Sequence, residues 1–391
     1  MIKHLFKLMW NKKKENFLLI SEILVSFMVT FAVFSLLIYN YQNYKLPTGF
    51  KYENVWMVSL FNAVQPKDKD SITAAHDQLK MALLNLPKVK EVSYISGNAP
   101  FTHNTFGDNI TYHHFSVDVD TYTADRDYEK LMGIKILSGR WFNAEDKASA
   151  YLPIVLNAST AERMNLTGKA VGEIVKLNGH QKKVIGVIQD LKDKGTFTKV
   201  SPGIYSLIDT SNVDYMNTIL VKVDPDADAR FEDKMYRLIA NATRSGNIQI
   251  QHLSEMQSTK DKDILVPLIV FLVVAVFLII NVALGLFGVL WYNISKRRGE
   301  IGLRRAIGAS SSVISLQLVG EALVLATFSL VVGSFFALQF PLLHVFDLPA
   351  AVYLTAILFS ILFIYLLVII CALYPGKQAA AIHPAVALHE D

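Results

Sequence analysis

One cysteine in 391 residues, Cys371, lies inside an apolar run, so the chain can close no internal disulfide. Charge is scarce too: Asp, Glu, Lys and Arg make up 18% of the residues, against roughly 25% in an ordinary soluble domain. The net charge of +4 is carried mainly by basic residues beside apolar segments, which fits membrane orientation and gives no support to nucleic acid binding. Also missing is the glycine-rich loop ending in Gly-Lys-Ser/Thr that wraps a nucleotide's phosphates. Gly168-Lys169 is followed by Ala170 and Gly376-Lys377 by Gln378, with Arg163 and Cys371 where the loop's first glycine would stand. Nucleotide chemistry must therefore come from another polypeptide, and this chain has no cofactor of its own. No G-x-S-x-G elbow or H-E-x-x-H helix is present. His113, His114, Asp118 and Asp120 place only the two aspartates on one face of a strand, which describes a solvated edge and not a metal centre.

What is abundant is apolar surface, 52% of the residues, gathered at the two ends of the chain. The run 17–39 contains one ionisable side chain, Glu22, and at about 1.5 Å per residue it is long enough to cross a roughly 30 Å hydrocarbon core. Three more runs of that kind follow at 264–292, 313–340 and 350–374. Lys3, Lys7, Lys12, Lys13 and Lys14 precede the first span, and Lys296, Arg297, Arg298, Arg304 and Arg305 follow the second, whereas 341–349 holds no Lys or Arg. The excess of positive charge on the cytoplasmic side puts both termini there. The first run is too long for a cleaved signal peptide and no A-x-A-like site follows it.

The expected plan is a cytoplasmic amphipathic segment (1–16), a first span (17–39), an extracytoplasmic domain (40–263) and a second span (264–292). A cytoplasmic loop (293–312), a third span (313–340), a short outer turn (341–349), a fourth span (350–374) and a cytoplasmic tail (375–391) complete it. This is a four-span membrane protein with a large α+β extracytoplasmic domain. Within that domain, Val55–Leu60 reads as a buried strand, Asp70-Ser71 as the cap of a helix through Leu83, and Lys90–Ser96 as a second strand, a ferredoxin-like unit. Short strands at 153–156, 174–177 and 183–188, with the hairpin signal Asn178-Gly179, predict an inserted β-rich subdomain that begins near Phe115 and includes a helix over 124–132. A strand at 219–223, a helix over 231–242 and a strand at 248–252 close the ferredoxin-like part.

Glu22 and Glu321 lie inside spans, where a charged group is costly enough to be a functional candidate. Each is near the cytoplasmic end of its helix, so snorkelling or pairing with the basic flanks is the expectation. The loop between the second and third spans reads Lys296-Arg297-Arg298-Gly299-Glu300-Ile301-Gly302-Leu303-Arg304-Arg305-Ala306-Ile307-Gly308-Ala309-Ser310. It closely resembles the R-x-x-E-I-G-l-R-R-A-l-G-A-s signature of MacB-type ABC permeases, a family that takes in lipoprotein-release and FtsX-type subunits. Gln317 and Glu321-Ala322 continue the likeness, as do Tyr374-Pro375 through Ala379-Ala380, then Pro384 and Ala387-Leu388, with Gly376 in place of the usual alanine. Gly139-Arg140-Trp141-Phe142 with Glu145-Asp146 resembles the family's G-R-x-F-x-x-x-D, and Val184–Ile188 its V-I-G-V-v strand.

The resemblance implies a permease of the inner membrane that works by mechanotransmission, moving its outer domain with ATP hydrolysed by a partner ATPase. It implies that Arg297, Arg298, Glu300, Ile301, Gly302, Leu303, Arg304, Arg305, Ala306 and Gly308 form the ATPase-coupling helix, with Glu300, Arg304 and Arg305 in contact. A second permease subunit, identical or not, is expected, along with membrane lipid and, for export, a periplasmic adaptor and an outer-membrane channel. The other expectation is an FtsX-like regulatory subunit that activates a cell-wall hydrolase.

Overall fold

A computed structural model describes residues 13–61, 68–149, 151–209, 212–244 and 247–380. Most of the surface segment expected over 1–16 and the tail motif at Pro384 and Ala387-Leu388 lie outside the described residues. The chain divides into two compact units, Asn43–Ile264 and a second made of Met1–Gln42 with Leu265–Asp391.

The first unit begins with a strand, helix, strand: β1 (Val55–Leu60), α2 (Lys69–Leu84) and β2 (Val89–Ile95), where α1 is the helix Lys13–Lys45. It ends with β10 (Thr218–Val223), α5 (Ala229–Thr243) and β11 (Ile248–His252). These four strands lie in the antiparallel order β11-β1-β10-β2, the ferredoxin-like arrangement. Alternation along β1 sends Trp56, Val58 and Leu60 to one face, where they bury against Leu79 and Leu83 of α2 and Phe231, Met235 and Ile239 of α5. Each such side chain taken fully out of water stabilises the layer by about 1.5–3 kcal/mol. The helix cap is Asp68, which accepts from Ser71 N at 2.8 Å, and not the expected pair Asp70-Ser71; Asp228 does the same for Phe231 N at 3.0 Å.

Between β2 and β10 the chain builds a closed ring of strands. The intervening elements are β3 (Gly107–Tyr112), β4 (Phe115–Ala124), α3 (Tyr128–Met132), β5 (Ile136–Gly139), β6 (Pro153–Asn157), α4 (Ala158–Arg163), β7 (Ile174–Leu177), β8 (His180–Ile188) and β9 (Gly203–Leu207). The order β4-β3-β7-β8-β6-β9 returns to β4 through the parallel β4–β9 pair, so the expected β-rich insertion is a six-stranded barrel. Ile110, Val119, Ile154, Leu156, Val184 and Ile204 belong to its core. At the β7–β8 hairpin Asn178 (φ 49°) and Gly179 (φ 79°) both take positive φ, the turn that the Asn-Gly pair favours. The helix expected over 124–132 is only Tyr128–Met132. Strand β4 runs on to Ala124, which pairs with both Ile95 and Leu207, so sheet pairing overrides local helix preference.

Among the described residues, four helices are long and apolar enough to cross a membrane. They are α1, α6 (Leu253–Lys296), α8 (Ser311–Leu342) and α9 (Ala350–Ala380); the short α7 (Arg298–Ala306) joins α6 to α8. Each is longer than its apolar run, because polar residues at the ends continue the helix. Leu19, Phe27 and Phe31 of α1 pack with Ala322, Ala326 and Leu330 of α8 and Tyr353, Ala356 and Ile364 of α9. Close approach depends on small residues: a Cβ on Gly333 would come 2.6 Å from the Phe27 ring, and Ser329 Oγ donates to Ile20 O at 3.1 Å.

Candidate functional site

The signature segment folds as a short helix held on the start of α8. Arg297 leaves α6, α7 follows, Gly308 turns the chain at φ 102°, and Ser310 caps α8. Ile294, Ile301 and Ile314 form a small apolar floor, with Ala309 and Leu318 against it. Above that floor five polar side chains close a ring. Arg297 Nε meets Glu300 Oε2 at 3.0 Å, Glu300 Oε1 accepts from Arg304 Nη2 at 2.6 Å, and Arg304 Nη1 donates to Gln317 Oε1 at 2.7 Å. Gln317 Nε2 then donates to Glu321 Oε1 at 3.0 Å, and Glu321 Oε2 accepts from Arg297 Nη1 at 2.6 Å. Three members come from the loop and two, one helical turn apart, from α8. Burial opposes the charge on Arg297, but the hydrogen bonds to Glu300 and Glu321 outweigh it and raise the guanidinium above its ordinary value.

The expected contact residues are therefore not equivalent. Glu300 and Arg304 are half-exposed and already occupied by the ring. Arg305 is half-buried, with Nη1 donating to Ala309 O at 3.4 Å and Nε buried without a partner among the described residues. Gly302 and Ile301 are buried. What protrudes is apolar: Leu303 is 53% exposed and Ile307 77%, on one face with Gly299 and Ala306. Sequence reasoning named Leu303 without separating it from its charged neighbours, and left Ile307, though within the signature segment, out of the coupling residues. The i, i+4 spacing of 303 and 307, off the face of Ile301, was the available signal.

Of the two intramembrane carboxylates, Glu321 pairs with the basic flank through Arg297, whereas Glu22 shows no ion pair among the described residues. Glu22 Oε2 is buried and has no hydrogen-bond partner among the described residues, as is true of Ser26 Oγ one turn on. Gly285 of α6 sits against that carboxyl, since a Cβ there would lie 2.7 Å from Glu22 Oε1.

In the outer unit the Gly-Arg-Trp-Phe motif is architectural. Arg140 grips Asp146 with both Nη atoms at 2.7 Å, and Asp146 Oδ2 also accepts from Asn143 N at 2.7 Å. The Arg140 fork holds the buried Asp146 carboxyl below its ordinary value. Gly139, at φ 71°, lets β5 lie against the Ile185 carbonyl, and Gly186 lies as close to the Arg140 carbonyl. Asp118 and Asp120 have ordinary partners, Asn109 Nδ2 at 2.9 Å and Lys194 Nζ at 2.5 Å. The sheet face opposite α2 and α5 opens into a cavity of about 920 Å³ floored by Ser59, Thr218, Gln249 and Gln251, with Phe101, Phe106, Met216 and Met256 at its walls.

Four apolar helices, a short basic helix between the second and third, and a ferredoxin-like domain carrying a barrel define a multi-pass membrane protein with one large extracytoplasmic domain. The chain belongs to the MacB-type ABC permeases: residues 18–237 match the MacB-like periplasmic core domain and residues 271–384 the FtsX-like permease C-terminal domain. It is 23% identical to a macrolide export ATP-binding/permease protein MacB of Bdellovibrio bacteriovorus, over 68% of this chain and 43% of that protein. It is also 23% identical to the uncharacterized ABC transporter permease YvrN of Bacillus subtilis, over 79% of this chain and 78% of that one. The periplasmic region of MacB from Actinobacillus actinomycetemcomitans aligns with 54% of this chain and 94% of its own length, at TM-score 0.40 and 16% identity. The chain thus spans less than half the length of the MacB protein from Bdellovibrio bacteriovorus.

Proposed function

We propose that this chain is the membrane subunit of an exporter driven by mechanotransmission. An ATPase subunit, which binds the ATP, docks on α7 from the cytoplasm, and its closure moves the membrane helices and with them the extracytoplasmic domain. Substrate is taken up on the outer side of the membrane and expelled from there. The observation that carries this reading is the closed ring of Arg297, Glu300, Arg304, Gln317 and Glu321. It makes α7 one body with the start of α8, so a push on the protruding Leu303 and Ile307 reaches a membrane span instead of bending a loop. The basic loop favours a cytoplasmic α7 and cytoplasmic termini.

Two permease subunits serve one transporter in this reading, with lipid around them. Its support is α6, whose most apolar stretch is only 6% buried, against 33% for each of the other three spans. The MacB relatives are named for macrolide export, which makes macrolides the first compounds to try. An adaptor and an outer-membrane channel are further partners. The test is co-purification of the full chain from its native membrane, with Ile307→Asp beside it. An ATPase bound to the unaltered chain and lost from the variant is expected; no ATPase, or one held equally by both, overturns the docking. A cell-wall hydrolase in place of an adaptor among the bound proteins would favour the regulatory role.

A further inference from the structure

We propose that Lys192 is the positioning residue of a joint inside the outer unit, where displacement of the incoming and outgoing chain is handed to the six-stranded barrel. The proposal rests on the mechanotransmission reading above, since it gives this joint a part in that movement. Lys192 is 1% exposed, and among the described residues its ammonium forms no ion pair with a carboxylate. Its acceptors are main-chain carbonyls: Asn43 O at 2.5 Å, Leu46 O at 3.5 Å and Thr196 O. Asn43 lies in the last turn of α1, whose final carbonyls have no i+4 helical partner and carry partial negative charge; Asn43 O also accepts from Leu46 N at 3.1 Å. The buried ammonium therefore caps the end of the incoming helix.

The same loop also holds the outgoing chain. Thr196 N donates to Asp261 Oδ1 at 2.8 Å, and Gln257 Nε2 donates to Thr196 Oγ1 at 2.6 Å. Phe197 stacks on Tyr44 with ring centroids 5.6 Å apart. Backwards along the chain, the loop is the direct continuation of β8. Sideways, Asp193 accepts a hydrogen bond from Tyr122 Oη, and Lys194 pairs with Asp120, both on β4. Residues 192–197 thus touch the incoming segment, the outgoing segment and two barrel strands. The joint also leaves a donor spare: Asn43 is 6% exposed, and its Nδ2 has no partner among the described residues. Any shift of the joint that brings an acceptor to that amide would be favoured, since a buried donor left without a partner is costly.

The experiment uses the full chain with its co-purified ATPase in lipid nanodiscs, Cys371→Ser throughout. Spin labels are placed at two exposed positions, Ser258→Cys on the outgoing segment and Lys176→Cys on the barrel. The distance between them is measured nucleotide-free and after trapping with ATP and vanadate. The unaltered chain is expected to shift between the two conditions. In Lys192→Met the shift falls at least two-fold while basal ATP hydrolysis and the unfolding temperature of the complex are retained. Asp261→Ala, which frees the outgoing side and leaves Lys192 in place, reads the same joint should Lys192→Met fail to fold, and should lose the shift alike. A shift of full size in either folded variant, or none in the unaltered chain, overturns the proposal. Absence of any bound ATPase instead overturns the mechanotransmission reading on which it rests.

Discussion

At the scale of single residues, the ring around α7 makes a graded claim about Arg297. Its Nη1 and Nε serve two carboxylates, Glu321 and Glu300, and its side chain is 21% exposed, so these contacts are only partly screened. Lysine keeps the charge but cannot fork between them. Arg297→Lys is expected to lose about 1–2 kcal/mol and Arg297→Ala about 2–4 kcal/mol, because alanine leaves Glu321 with Gln317 as its one ring partner and Glu300 with Arg304. Thermal unfolding of the full chain in detergent checks the order, and equal losses would show that the fork does not matter. Asp146 makes a claim about pH. Its carboxyl is depressed chiefly by Arg140, so its contribution is present above the ordinary carboxylate value of about 4 and is lost as pH falls through the lowered one. The stability gap between the chain and Asp146→Asn should be about 1–3 kcal/mol at neutral pH and close as the solution is acidified. Urea midpoints across that range test it, and a gap that widens in acid reverses the sign.

At the scale of elements, long apolar periods were legible and cross-chain pairings were not. The four spans showed themselves because apolar runs of this length cross lipid as helices, which satisfy every backbone N–H and C=O within the segment. Strand β1 and the Asn178-Gly179 hairpin were equally plain. Strand β3, Gly-Asp-Asn-Ile-Thr-Tyr, was missed because its polar residues give no alternating signal and its pairing with β4 and β7 lies elsewhere in the chain. The site divides in the same way. Arg297, Glu300 and Arg304 advertise themselves by charge and by i, i+3 and i, i+4 spacing. Their closure through Gln317 and Glu321 depends on the turn at Gly308, which no periodicity reveals. That turn can be tested alone, since a Cβ on Gly308 meets open space and only the φ of 102° is at stake. Gly308→Ala is expected to cost about 1–2 kcal/mol of backbone strain. It should reduce stimulation of the bound ATPase severalfold with little effect on docking through Ile307. Unchanged stimulation would mean that the angle between α7 and α8 carries no coupling.

At the scale of the whole molecule, the order of spans and domain was readable from hydropathy, whereas closure of the barrel was not, because it needs the parallel pairing of β4 with β9 across a long stretch of sequence. Orientation belongs to this scale as well, and the proposed function depends on it. If the basic loop faces the cytoplasm, α7 can meet an ATPase and the barrel cannot. Two chains, each with one introduced cysteine, separate the alternatives, Ile307→Cys beside α7 and Lys176→Cys on β7, both at exposed positions. The native Cys371 is 8% exposed within α9 and contributes little background. In intact cells whose outer barrier is permeable to small reagents, a membrane-impermeant maleimide is expected to label the Lys176→Cys chain. The Ile307→Cys chain should react only after the inner membrane is opened. Labelling of Ile307→Cys from outside would put α7 out of reach of ATP, and the ring would then have to be explained as a clamp for the helix ends alone.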